Sequence, residues 1–394
     1  MVSDPAGCAG RQAWLHLALT PGVGPATALR LLAAFGMPER LLGASATALG
    51  AVVGPALATA LLRPDPRRDA AVAHSLAWAS QAGCHLVALD DPAYPSALLH
   101  TPDPPPLLWA RGQPALLARP ALAIVGSRAA STDGRRNAER FARTVGEAGV
   151  VVVSGLAAGI DSAAHRGALA TAGGTIAVLA TGIDRLYPPG ARALGEAIAE
   201  RGLLIAEQPP GSGPSRGAFP RRNRLIAGLA RGVLVVEAAV RSGSLITARL
   251  AADLGREVFA LPGSIHAPLA RGCHRLIRDG ATLVESADEI LTDPACRFPA
   301  PVAPAAAQPG EQAGGAQPVA GQGSSHAHAH AHPLLAALGW SPLDADALIA
   351  RLPRSGPGAA FSSPATLLAA LGRLELEGRI ERLPDGRFRQ LPPA

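Results

Sequence analysis

The sequence predicts an α/β fold: a doubly wound, mostly parallel sheet, preceded by a helical region and followed by a winged helix. Short apolar runs recur between residues 80 and 295, separated by Ala-rich helical stretches. Several of these runs are apolar throughout, as strands buried on both faces must be. Each run ends in Gly, Ser, Glu or another turn or polar residue, and ligands of doubly wound sheets bind beyond those carboxyl ends.

Residues 1–75 are Ala/Leu-rich and read as a helical domain. Within them LALTPGVGPATALRLL joins two apolar stretches through a Gly-x-Gly turn. That is the pattern of a helix-hairpin-helix (SAM-like) unit, whose turn N–H groups can meet a phosphate. It is not a dinucleotide fingerprint, because a helical segment precedes it and no third glycine follows. Residues 41–62 carry no charge and are long enough to span a bilayer. They are mostly Ala, Gly, Ser and Thr with Gly54-Pro55 inside, so two short soluble helices are expected.

Residues 80–295 carry the sheet, through HLVAL, ALAIVGS, GVVVVSG, TIAVLATG, GLLIAEQ, GVLVVEA and EVFALPG. Residues 297–333 are rich in Pro, Ala, Gln and Gly and cannot build a core, so a disordered linker is expected. Its histidines at 326, 328, 330 and 332 read as a low-complexity spacer. In residues 334–394, LLAALGW, SPLDADALIARL and SPATLLAALGRLELEG read as three helices. RIERLPDGRFRQL then reads as a hairpin with Asp385-Gly386 at its tip, completing a winged helix. The expected recognition helix carries Glu375 and Glu377, which would repel a DNA backbone. A protein contact suits it at least as well as DNA reading.

The formal net charge is +6, and all 36 basic side chains are arginine. That balance suits a polyanionic partner. Four scattered cysteines (Cys8, Cys84, Cys273, Cys296) form no C-x-x-C pair, which fits a reducing cytoplasm. The start MVSDPAGCAG lacks the basic region of a signal peptide. Without lysine there is no Walker A loop, and no G-x-G-x-x-G follows a strand. No His, Cys and carboxylate set in the sheet region has metal-ligand spacing, so no cofactor or metal is expected.

SGLAAGIDSAAH places Ser154, Asp161 and His165 in one short stretch. A nucleophile elbow needs G-x-S-x-G, which is absent, and triad members seldom come from one turn. The stretch reads instead as a phosphate cradle after a strand. Gly155 lets the backbone turn, Gly159 permits close approach, the helix-start N–H groups hold the anion, and Asp161 orients the loop. AIVGSR repeats the logic with Gly126, Ser127 and Arg128, and Ser242-Gly243-Ser244 open a third helix. Between Glu207 and Glu237 stand five arginines (216, 221, 222, 224, 231) and no acid, as a groove for a phosphate backbone would require. Arg222 and Arg224 are expected to neutralise phosphates, with Arg128 in support. Phe219, just ahead of the arginines, is the expected stacking platform.

AIVGSR, SGLAAGIDSAAHRGAL, TGIDRLYP, FPRRNRLIAGL, VVEAAVRSGSLITA, VFALPG and RLIRDGA occur in this order. In these motifs and their spacing the chain resembles the DNA-processing protein A (DprA/Smf) family. The resemblance implies an extended Rossmann-like fold, single-stranded DNA binding, dimerisation through the sheet domain and loading of RecA recombinase during natural transformation. It implies no catalysis. Its DNA site would comprise Gly126, Ser127, Arg128, Ser154, Gly155, Gly159, Phe219, Arg221, Arg222, Asn223, Arg224, Ser242, Gly243 and Ser244. Ala191 stands where Asn or His often occurs in the family, and His274 where Asn is common. Two other readings remain. A nucleotide phosphoribohydrolase would need a glutamate where SGSLITARL has Arg249, and an adaptor contacting only RecA would not bind DNA at all.

Overall fold

The computed structural model describes residues 5–215, 217–298, 333–338, 342–352, 361, 364–383 and 386–391. Nearly all of the expected linker with its histidines lies outside these residues, as do Arg216 and Asp385. The chain divides into two compact units, residues 1–307 and 308–394.

The first unit begins with six helices: α1 (Pro5–Leu19), α2 (Pro25–Phe35), α3 (Pro38–Leu42), α4 (Ala46–Val53), α5 (Pro55–Leu62) and α6 (Pro66–Ala79). Proline opens all of them but α4, because its fixed φ suits a first turn and its missing N–H costs nothing there. Ser45 caps α4, its hydroxyl accepting from Ala48 N at 3.2 Å. The uncharged run at 41–62 breaks between α4 and α5 at Gly54, whose φ is 85°. Among the described residues no helix is long and apolar enough to cross a membrane. Arg68, buried in α6, donates to the carbonyls of Ala60 and Arg63 at 2.8 Å each. A cation thereby satisfies the C-terminal carbonyls of α5, where the helix dipole favours it.

The sheet follows, built from β1 (Cys84–Ala88), α7 (Ser96–Leu99), β2 (Leu107–Gly112), β3 (Ala121–Val125), α8 (Thr132–Glu147), β4 (Val151–Ser154) and α9 (Ile160–Ala168). The chain continues through β5 (Thr175–Gly182), α10 (Arg192–Arg201), β6 (Leu203–Gln208), α11 (Ala218–Leu229), β7 (Gly232–Val235) and α12 (Ser244–Asp253). It ends with β8 (Glu257–Ala260), α13 (Arg271–Arg278), β9 (Thr282–Leu283) and α14 (Ala287–Leu291). The strand order is β1-β2-β6-β5-β4-β3-β7-β8-β9. From β6 to β9 every pair is parallel, while β1 and β2 form an antiparallel edge.

Alternation along the strands divides the core. Leu122 and Ile124 of β3 pack with Phe141 of α8 and Ile160 of α9 on one face. Ala123 and Val125 pack with Leu225 and Ile226 of α11 and Ala248 of α12 on the other. Phe141 is 2% exposed, and burial of such a ring contributes roughly 2–3 kcal/mol. Trp14, Leu15 and Leu17 of α1 share a core with Leu107 and Trp109 of β2, so the helical region seats on the antiparallel edge.

The second unit holds α15 (Pro333–Leu338), α16 (Ala345–Arg351), α17 (Pro364–Leu376), β10 (Ile380–Arg382) and β11 (Phe388–Gln390). The two strands pair antiparallel, giving the three helices and wing that the sequence predicts. Asp344 caps α16, accepting from Ala347 N at 2.7 Å. Leu348, Leu367, Leu371, Ile380 and Phe388 form this unit's own core. Just past α17, Glu377 pairs with Arg373 of that helix at 3.0 Å, and Glu375 on α17 accepts from Arg382 N at 3.3 Å.

Candidate nucleic-acid interface

The strand order locates the site. From β3 the chain winds outward through β4, β5 and β6, then returns to β7 on β3's other side. The loops after β3 and β7 therefore leave in opposite directions and open a crevice between them. A cleft of about 580 Å³ lies there. It is lined by Gly126, Ser127 and Arg128 from the β3 loop, by Phe219, Arg222 and Asn223 of α11, and by Arg241, Ser242, Gly243 and Ser244 ahead of and opening α12.

The β3 loop is fixed to its neighbours. A Cβ on Gly126 would lie 2.6 Å from Ile160 and 2.8 Å from the Glu237 carbonyl, so only glycine fits. Ser127 N donates to that carbonyl at 2.7 Å. Arg128 projects into solvent with its guanidinium 5.2 Å from the centre of the Phe219 ring, within cation–π range.

The loop after β4 is closed. Asp161 Oδ2 accepts from Gly155 N at 3.1 Å and from Ala157 N at 3.4 Å. His165 Nε2 accepts from Leu156 N at 3.3 Å. The N–H groups expected to hold a phosphate thus already face a carboxylate and an imidazole of the same segment. Burial pushes the Asp161 carboxyl up, against the pull of Arg222. His165 is fully buried, and burial, with Arg222 and Arg166, pushes it down to about 3. Thr175 donates its hydroxyl to Val152 O, so it receives the proton of His165 Nδ1 at 2.7 Å and the ring is neutral.

This arrangement corrects the phosphate-cradle expectation. Ser154 is fully buried and donates to Ile124 O at 2.6 Å. A Cβ on Gly155 would lie 2.1 Å from the Arg222 guanidinium, and one on Gly159 would lie 2.2 Å from Ser127 O. Gly155 and Gly159 are therefore required by protein atoms. Ser154, Gly155 and Gly159 are absent from the cleft lining. Ser154, Asp161 and His165 each bond elsewhere and do not form a triad with one another.

The arginines are also redistributed. Arg222 is buried and donates through Nη1 to the carbonyls of Gly155 and Val178. Burial pushes it down to about 10, which leaves it cationic at neutral pH under the cleft floor. Arg224 turns away: Nε lies 3.0 Å from Asp103 Oδ2 and Nη2 pairs with Glu207. It is spent on two carboxylates, which overturns the expectation that it neutralises phosphates. Arg221 is exposed but does not line the cleft. Arg231, ahead of β7, donates to the Cys296 and Arg297 carbonyls at the sheet's opposite end.

Glu237 closes another helix start, accepting from Ser131 N at 2.9 Å and Ser131 Oγ at 2.5 Å ahead of α8. The start of α12 has no acid in its first turn. Ser242 Oγ and Ser244 Oγ lie 2.6 Å apart, and Asn223 Nδ2 donates to Gly243 O at 3.4 Å. Arg241 is exposed beside them and was missed in the sequence, although it directly precedes Ser-Gly-Ser. Among the described residues neither Arg128 nor Arg241 is paired with an acid. The exposed arginines between the β3 loop and α12 make the mouth of the cleft cationic, with Arg222 and the Asp161 carboxyl beneath them.

The fold and cleft define a Rossmann-like protein with a glycine- and serine-lined crevice at the switch point of its sheet. More particularly, the chain belongs to the DNA recombination-mediator protein A family, whose model matches residues 85–294, and a DprA winged helix domain matches residues 318–386. Protein Smf of Synechocystis is 41% identical over 284 residues, 71% of each chain. DNA processing protein DprA of Streptococcus pneumoniae is 48% identical over 205 residues, 52% of this chain and 72% of that one. The solved structure of DprA from Streptococcus pneumoniae superposes with a TM-score of 0.64 at 38% identity, covering 72% of this chain and 97% of that one.

Proposed function

We propose that this protein binds single-stranded DNA along the carboxyl edge of its sheet, protects it, and loads RecA recombinase on it during natural transformation. The carrying observation is the cleft, where Arg128 and Arg241 face solvent above the buried charge of Arg222. Cations without acid partners at a glycine- and serine-lined crevice suit a phosphate backbone, and such contacts are indifferent to sequence. A flexible single strand can bend its phosphates into the crevice, whereas a duplex cannot leave its helical path. The protein acts by holding the strand, not by breaking a bond, since Ser154, Asp161 and His165 are committed to the fold. Family membership supports the further steps: a homodimer through the sheet domain, presenting two clefts to one strand, and a handover to RecA.

A salt-titrated binding assay with single- and double-stranded oligonucleotides tests the reading. Tighter binding of single strands, weak sequence preference and a steep loss of affinity with salt are expected. Equal binding of both forms, or a flat salt response, overturns it.

A further inference from the structure

We propose that Tyr187 is a base-stacking platform outside the cleft, where a nucleobase of the bound strand lays its face. This rests on the nucleic-acid reading above. Tyr187 is 42% exposed, the most open aromatic ring among the described residues, in a chain with only two tyrosines, seven phenylalanines and four tryptophans. It lies on the loop after β5, at the same carboxyl edge as the cleft, without lining the cleft.

Its placement is built. The Tyr187 and Phe219 ring centres are 5.9 Å apart and tilted by 57°. Arg128 lies over Phe219 in turn, so Arg128, Phe219 and Tyr187 form a continuous strip leading out of the cleft. Phe219, the platform expected from sequence, is half-buried between neighbours that are both more exposed. The open aromatic surface of the strip therefore belongs to Tyr187. Its neighbours hold it in place: Leu186 packs into the core, so closely that a Cβ on Gly195 would lie 2.8 Å from it. Arg185 N donates to Gly182 O at 2.9 Å, and Thr181 Oγ1 donates to Arg185 O at 2.5 Å. A ring fixed in advance loses little freedom on binding, and every base has a face to stack on it.

The test compares a thymidine oligonucleotide with an abasic strand of equal length, using wild type, Tyr187→Ala and Tyr187→Trp. Tyr187→Ala should weaken binding of the base-bearing strand roughly tenfold and leave the abasic strand within about twofold. Its salt slope should not change, because no charge is lost. Tyr187→Trp should restore wild-type affinity. Equal losses on both strands, or no loss, overturn the proposal. So does a Tyr187→Ala protein with altered self-association and intact DNA binding, which would assign the ring to a protein interface. A wild type that binds both strands equally ends the stacking proposal alone, while one that binds neither ends the nucleic-acid reading as well.

Discussion

Two helix starts at the same sheet edge have met the same requirement in opposite ways. Each follows a strand, each is led in by Ser and Gly, and each has N–H groups to satisfy. At α9 the helix supplies its own carboxylate, and Asp161 takes the N–H groups of Gly155 and Ala157. At α12 the first turn holds no acid, only Ser242 and Ser244, with Arg241 beside them. A Gly/Ser turn between strand and helix therefore marks an anion site whose occupant is undetermined. A carboxylate a few residues downstream makes the turn structural, and its absence leaves the turn open.

The largest effect should come from opening the closed start. Asp161→Leu would leave the buried Gly155 N–H and the partly buried Ala157 N–H without an acceptor, and Arg222 without its nearby carboxylate. Chemical denaturation should show a loss of about 3 kcal/mol or more. A loss below about 1 kcal/mol would mean that Asp161 does not hold the loop.

A smaller effect separates the exposed arginines from the committed one. Arg241→Ala should weaken single-strand binding and flatten the log–log salt slope by about 0.7, the share of one phosphate. Arg224→Ala should leave that slope unchanged. It should cost roughly 1–2 kcal/mol of stability, short of a fully buried pair because solvent still reaches it. The reverse pattern would move the binding surface to the Glu207 side of α11.

The smallest effect lies inside the closed loop. Ser154→Ala removes one buried bond to Ile124 O and should lower stability by about 1 kcal/mol. Oligonucleotide affinity should be unaltered. A binding defect would show that the serine reaches the strand.

The sheet was legible because its central strands are buried on both faces and so read as unbroken apolar runs. β2 was not recognised, since its apolar stretch of Leu107 to Ala110 stands directly behind three prolines. The arginine cluster misled for a geometric reason. Successive residues of a helix point about 100° apart. Arg222 therefore goes under the cleft, while Arg224 reaches Asp103 and Glu207 from distant segments. No local pattern announces those partners. Asp161 was read correctly as orienting its loop, but its completeness as a substitute anion depends on distances only the fold sets. Tyr187 was in view within TGIDRLYP, yet its exposure follows from Leu186 taking the inward position.

Arg222 gives the cleft charge at two depths. Arg128 and Arg241 stand in water, where mobile ions gather and blunt their field within about 10 Å at 0.1 M salt. Arg222 lies beneath the surface, held by the Gly155 and Val178 carbonyls, with the Asp161 carboxyl as its fixed neighbour. Added salt can weaken the outer charges, whereas the inner pair is supplied by the protein itself. The cleft therefore carries a screened outer layer over a fixed inner pair, and on the proposed reading its hold on a phosphate should be lost almost entirely as the ionic strength rises.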